Sequence, residues 1–128
     1  MPNSKKTVLI VDDEPFVREI AADILRSEGY IVLEASSGPA ALNVCAEHGS
    51  KIDLLLTDLI MPGMTGRMLA DILTARFAGL NVIFMSGYID DSRTETMEQG
   101  IHFIQKPLDW GRLKSMIRDL MKHKKQRT

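Results

Sequence analysis

Apolar positions in this chain fall into short unbroken runs, separated by longer stretches in which they recur every three to four residues. The runs are Thr7-Val-Leu-Ile-Val11, Tyr30-Ile-Val-Leu33, Ile52 to Thr57, Asn81-Val-Ile-Phe-Met85 and His102-Phe-Ile104. Aliphatic runs of this length, bounded by turn residues, read as strands buried on both faces of a parallel sheet. The first intervening stretch places Phe16, Ile20 and Ile24 with Val17 and Ala21 on one helical stripe, closed by Glu28-Gly29. Asp13 is expected to cap that helix, with Pro15 in its first turn. Ser36-Ser37-Gly38-Pro39 opens a second helix through Ala40, Ala41, Val44 and Cys45. Thr65 starts a third, with Leu69, Ile72, Leu73 and Phe77 facing inward. A short polar helix is expected between Asp90 and Gln99, and a last one from about Asp109 through Trp110, Leu113, Ile117, Leu120 and Met121.

Five strands alternating with five helices predict a three-layer α/β domain with helices on both faces of the sheet. The 128 residues suit a single domain, with a core from about 6 to 121 and a frayed basic tail over 122–128. A formal net charge of −1 gives no reason to expect nucleic acid or an anionic membrane as partner. The lone Cys45 rules out an internal disulfide framework, and no Cys/His spacing suggests zinc. Neither a spanning apolar run nor a secretory leader is visible, so the cytoplasm is the expected compartment.

Chemistry concentrates where the strands end. The first run stops at Asp12-Asp13, the third at Asp58, the fourth at Ser86 and the fifth at Lys106. In a parallel sheet these ends share one edge, the edge at which open α/β sheets keep their ligand sites. Asp53 sits at the other end of the Asp58 strand and is expected to face away. Three gathered carboxylates repel one another and raise at least one pKa unless a cation compensates. Mg²⁺, a hard ion with a preference for oxygen ligands, is the natural candidate. Acids, a metal, a hydroxyl and a lysine around one carboxylate make a site for phosphoryl transfer, with the carboxylate as nucleophile. Each residue alone has a plainer reading: a capping pair for Asp12-Asp13, an Asx turn for Asp58, a strand stop for Lys106-Pro107. Their conjunction at separate strand ends favours the site.

VLIVDDE, LLLTDLIMPGMTG, VIFMSGY and FIQKP resemble the signatures of response-regulator receiver domains, the CheY-like family, over about Lys6 to Met121. The resemblance implies a flavodoxin-like fold of strand order 2-1-3-4-5 and a role in two-component (His-Asp phosphorelay) signalling. The wording is similar to receivers of hybrid histidine kinases. By position, Asp58 matches the phospho-acceptor, Asp12 and Asp13 the acidic metal pair, and the Ile60 backbone carbonyl a further Mg²⁺ ligand. Ser86 and Lys106 match the groups that contact the phosphoryl oxygens, and Phe103 with Ser86 the switch pair. Ile60 and Tyr88 occupy the positions that tune dephosphorylation. The implied partners are a sensor histidine kinase or histidine phosphotransfer protein and a downstream protein target, with no independent multiple-turnover activity. Two alternatives stand beside it: an aspartyl-nucleophile phosphatase, and a binding module that works without phosphorylation. The first needs an acid where Ile60 stands, and the second would be expected to lack one of the five site residues.

Overall fold

The computed structural model describes residues 5–48, 51–87 and 101–126. Its strands are β1 (Thr7–Val11), β2 (Ile31–Ala35), β3 (Leu54–Asp58), β4 (Asn81–Ser86) and β5 (Ile101–Gln105). Helices α1 (Pro15–Ser27), α2 (Gly38–His48), α3 (Gly66–Arg76) and α4 (Trp110–Gln126) complete the described elements. The expected helix between Asp90 and Gln99 lies outside the described residues, as does Tyr88. All strand pairings are parallel and the order is β2-β1-β3-β4-β5, the flavodoxin-like arrangement.

Alternation along the strands divides the core into two layers. Leu9, Val11, Leu55, Val82 and Phe84 point to one face, where α2 and α3 supply Ala41, Cys45, Leu69, Ala70 and Leu73. Val8, Ile10, Leu54, Leu56, Ile83 and Met85 point to the other, against Ala21, Ala22 and Leu25 of α1 and Leu113, Ile117 and Met121 of α4. Period two in the strands therefore meets period 3.6 in the helices on both sides. Each fully buried Leu or Ile contributes about 1.5–3 kcal/mol by leaving water. That is why the strands carry apolar side chains on both faces, and why the acids and the lysine of the site lie at or just beyond their ends.

Local chemistry sets the helix boundaries. Gly29 has φ +98°, a left-handed conformation that glycine adopts without penalty, and ends α1. Thr65 caps α3, its side chain accepting from the Met68 N–H at 3.1 Å. Ser37 does the same for the Ala40 N–H.

Several expectations change. Phe16 is 75% exposed, because nine residues at about 100° each place it opposite Leu25 on α1. Ile72 is likewise rotated off the line of Leu69, Ala70 and Leu73 and is 43% exposed. Asp13 is not the cap of α1: Glu14 occupies that position without a side-chain capping bond, and Asp12 Oδ1 accepts from its N–H at 2.9 Å. β2 extends through Glu34 and Ala35, because Ile10 and Val11 of β1 continue the pairing past Leu33. The backbone of α4 is helical to Gln126.

Candidate phosphoryl-transfer site at the carboxyl edge of the sheet

Strand register assembles the site. Val11 of β1 lies opposite Thr57 of β3, so the following residues, Asp12 and Asp58, arrive side by side. Ser86 of β4 pairs with Gln105 of β5, and the next backbone N–H, that of Lys106, donates to the Ser86 carbonyl at 2.8 Å. Asp12, Asp13 and Asp58 each present a carboxylate oxygen, all within 4.8 Å of one another. The Lys106 ammonium reaches into this group. Its Nζ donates to Asp12 Oδ2 at 3.0 Å and to Asp58 Oδ2 at 3.3 Å, with Glu14 Oε1 a further 3.3 Å contact.

Burial grades these charges. Asp12 is fully buried, Asp58 half-buried and Asp13 exposed. Burial pushes the Asp58 carboxyl above the ordinary carboxylate range; the Lys106 ammonium pulls it back and the Asp12 charge adds to the rise. The direction matches that expected from crowded acids, but burial contributes more than repulsion does. For Lys106, burial alone disfavours the ammonium. The hydrogen bond and charge of Asp12, then those of Asp58, outweigh it and leave the pKa above the ordinary lysine value.

The loop after Asp58 is tied back to the sheet. The Leu59 N–H donates to the Met85 carbonyl at 2.8 Å, and the Gly66 N–H to the Leu59 carbonyl at 2.9 Å. Gly63 turns the loop with φ +79°. Gly66 packs directly on the end of β3: a Cβ there would collide with the Asp58 carbonyl oxygen. Ile60, on the outer bend of this loop, is 71% exposed. On β5, Phe103 is half-buried with its ring centroid 5.5 Å from that of Phe84. Ser86 is buried at the end of β4. Asp53 lies at the opposite edge, where its Oδ2 accepts from the Thr7 N–H at 2.8 Å, a structural role away from the cluster.

Reasoning from sequence did not assign Glu14, Arg18 or Gly66 to the site. The Arg18 Nη1 donates to the Asp12 backbone carbonyl at 2.7 Å while its Nε pairs with Glu34 at 3.4 Å, clamping the turn that carries the acid pair. For Glu14 the available signal was its place directly after two acids. For Gly66 it was a glycine opening a helix behind a threonine cap. Nothing in the local sequence points to Arg18.

An all-oxygen donor set this close suits a hard divalent cation in charge and ligand type. A half-buried aspartate among acids, with a lysine against it at the carboxyl edge of an open parallel sheet, is an arrangement suited to accepting a phosphoryl group. Comparison with known proteins agrees. The response regulator receiver domain family matches residues 8–118, and the chain belongs to that family. It is 34% identical over 117 residues to the sensor kinase CckA of Brucella abortus (strain 2308), covering 90% of this chain and 12% of that protein. It is 30% identical to the uncharacterized transcriptional regulatory protein YbdJ of Bacillus subtilis (strain 168), covering 91% of this chain and 51% of that one. The chain thus spans about half of the length of one of these relatives and far less of the other. Among solved structures, the receiver domain of the hybrid histidine kinase CckA superposes with TM-score 0.77 at 38% identity, over 89% of this chain and 97% of that one. A CheY-like receiver domain from Methanospirillum hungatei JF-1 gives 0.85 at 25% identity, over 98% of this chain and all of the other.

Proposed function

We propose that Asp58 is the phospho-acceptor of a two-component relay, and that residues 1–128 act as one receiver domain around it. The observation that carries this reading is the Lys106 ammonium bridging Asp12 and Asp58 inside the carboxylate trio. The donor is a phosphohistidine on a sensor kinase or a histidine phosphotransfer protein. An Asp58 oxygen attacks phosphorus, the P–N bond breaks, and its electron pair leaves on the imidazole nitrogen, which takes up a proton. The product is an acyl phosphate on Asp58.

Asp12, Asp13, Asp58 and the Ile60 backbone carbonyl would hold Mg²⁺, which when bound supplies positive charge against the phosphoryl oxygens. Lys106 follows the transferring group with its ammonium, because the acyl phosphate takes over the charge that Asp58 now offers it. Ser86 donates its hydroxyl to a phosphoryl oxygen, and the resulting pull on the end of β4 releases Phe103 to turn inward. A partner protein reads that change. Ile60 and Tyr88 set how long the phosphorylated form lasts. A phosphatase reading needs a second acid two residues after the nucleophile, and Ile60 there has no proton to give. Among the described residues no helix is long and apolar enough to cross a membrane.

Incubation with acetyl phosphate and Mg²⁺ should add a single phosphoryl group by intact mass, mapping to Asp58. The Asp58→Asn protein should remain unlabelled. Labelling that persists in this variant, or that maps to Asp53, would overturn the assignment. Repeated turnover of a phosphate monoester would favour the phosphatase instead.

A further inference from the structure

Lys106 has one more carboxylate partner than the proposed chemistry uses. Its ammonium contacts Asp12 Oδ2 and Asp58 Oδ2, and also Glu14 Oε1 at 3.3 Å. Asp12 and Asp58 belong to the trio able to hold a cation, and Glu14 lies outside that trio. A divalent cation and an ammonium are like charges, so the two compete for the carboxylates of Asp12 and Asp58. The lysine side chain is only 17% exposed, and a buried ammonium that loses its partners is costly. The side chain of Glu14 is 62% exposed, and with no capping bond to α1 it is free to follow the ammonium.

We propose that Glu14 is a positioning residue that holds Lys106 at the edge of the site when a divalent cation engages Asp12, Asp13 and Asp58. The inference rests on the reading of that trio as a cation site. Glu14 takes the ammonium as the cation enters, so the lysine stays beside Asp58, ready for the phosphoryl oxygens, without blocking the metal. Its contribution is therefore coupled to Lys106 and is more than that of one added negative charge.

The two explanations part in a double-mutant cycle on Mg²⁺ affinity, measured by titration calorimetry on the metal-free protein. Glu14→Gln should raise the Mg²⁺ Kd by about threefold with Lys106 present, the scale of one exposed ion pair. In the Lys106→Met background the same change should have at most half that effect. Equal effects in both backgrounds would reduce Glu14 to a remote charge and overturn the proposal, while leaving the cation site standing. A wild-type protein that fails to bind Mg²⁺ would overturn the cation site and the Glu14 assignment with it. Unchanged thermal midpoints for Glu14→Gln are expected throughout, because its side chain caps nothing. A drop in midpoint equal to that from losing a helix cap would assign Glu14 a folding role instead.

Discussion

Ile60 stands two positions past the proposed acceptor, largely exposed and without a hydrogen-bonding group. Hydrolysis of an acyl phosphate on Asp58 needs a water held in line behind phosphorus. An aliphatic side chain beside the acceptor cannot orient that water, so the phosphorylated form should be long-lived. Ile60→Asn adds a group that donates and accepts. One well-placed hydrogen bond of about 1.4 kcal/mol would speed decay roughly tenfold. Phosphate release after removal of the phosphodonor measures this, and decay at the wild-type rate or slower would show that Ile60 does not control the water. Asp12 illustrates a different economy of side chains. One carboxylate accepts from the Glu14 N–H through Oδ1 and from Lys106 through Oδ2, so a fully buried acid has both oxygens occupied.

The loop from Leu59 to Thr65 and the start of α3 hold the Asp58 strand by contact rather than by charge. Gly66 is the tightest point, since any side chain there meets the Asp58 carbonyl. Gly66→Ala must push either α3 or the backbone of Asp58 away, and such overpacking costs about 1–3 kcal/mol. The urea midpoint should fall accordingly, and acetyl phosphate labelling should slow with it, because the displaced atom belongs to Asp58, the proposed acceptor. Gly87 is the matched control. A Cβ there meets nothing within 4 Å, so Gly87→Ala should change stability by no more than about 0.5 kcal/mol. Equal midpoints for the two variants would mean that the loop yields freely and does not position Asp58. Met68 and Ile72 are exposed because α3 meets the sheet with Gly66, Leu69, Ala70 and Leu73.

Across the domain, the two apolar layers supply stability and the carboxyl edge draws on it. In the metal-free protein Asp58 holds its proton more tightly folded than unfolded, since its pKa is raised by burial. The folded state then binds more protons than the unfolded state over the window between the ordinary and the raised value. Stability must fall as pH rises through that window and stay lower above it. Asp58→Asn removes the ionisation. Without metal, its urea midpoint should exceed that of wild type at neutral pH, and the gap should close as pH drops below the ordinary carboxylate range. A neutral-pH midpoint below wild type would show that the Lys106 ion pair outweighs the burial of Asp58.

The sequence by itself determined the five strands, the α/β class and the acids, hydroxyl and lysine of the edge. Those features are written locally, as unbroken aliphatic runs that stop at polar residues, and parallel topology sends every stop to one edge. The resemblance to receiver domains added the strand order that the fold then displayed. What the tertiary structure alone decided depends on how separate elements meet. The face of α1 that turns inward is set by Ala21, Ala22 and Leu25 against the sheet, which leaves Phe16 outside although it shares a stripe with Ile20 and Ile24. The length of β2 is set by its neighbour β1, and Glu34 joins it despite its charge. Glu14 meets Lys106 across 92 positions of chain only because β1 and β5 end at the same edge of one sheet. Arg18 reaches the Asp12 carbonyl because one turn of α1 brings it back over the strand end, with Glu34 of β2 steadying it. Side-chain pattern is a property of neighbours along the chain, whereas helix rotation and cross-strand charge contacts are properties of register. Register exists only once the sheet has formed.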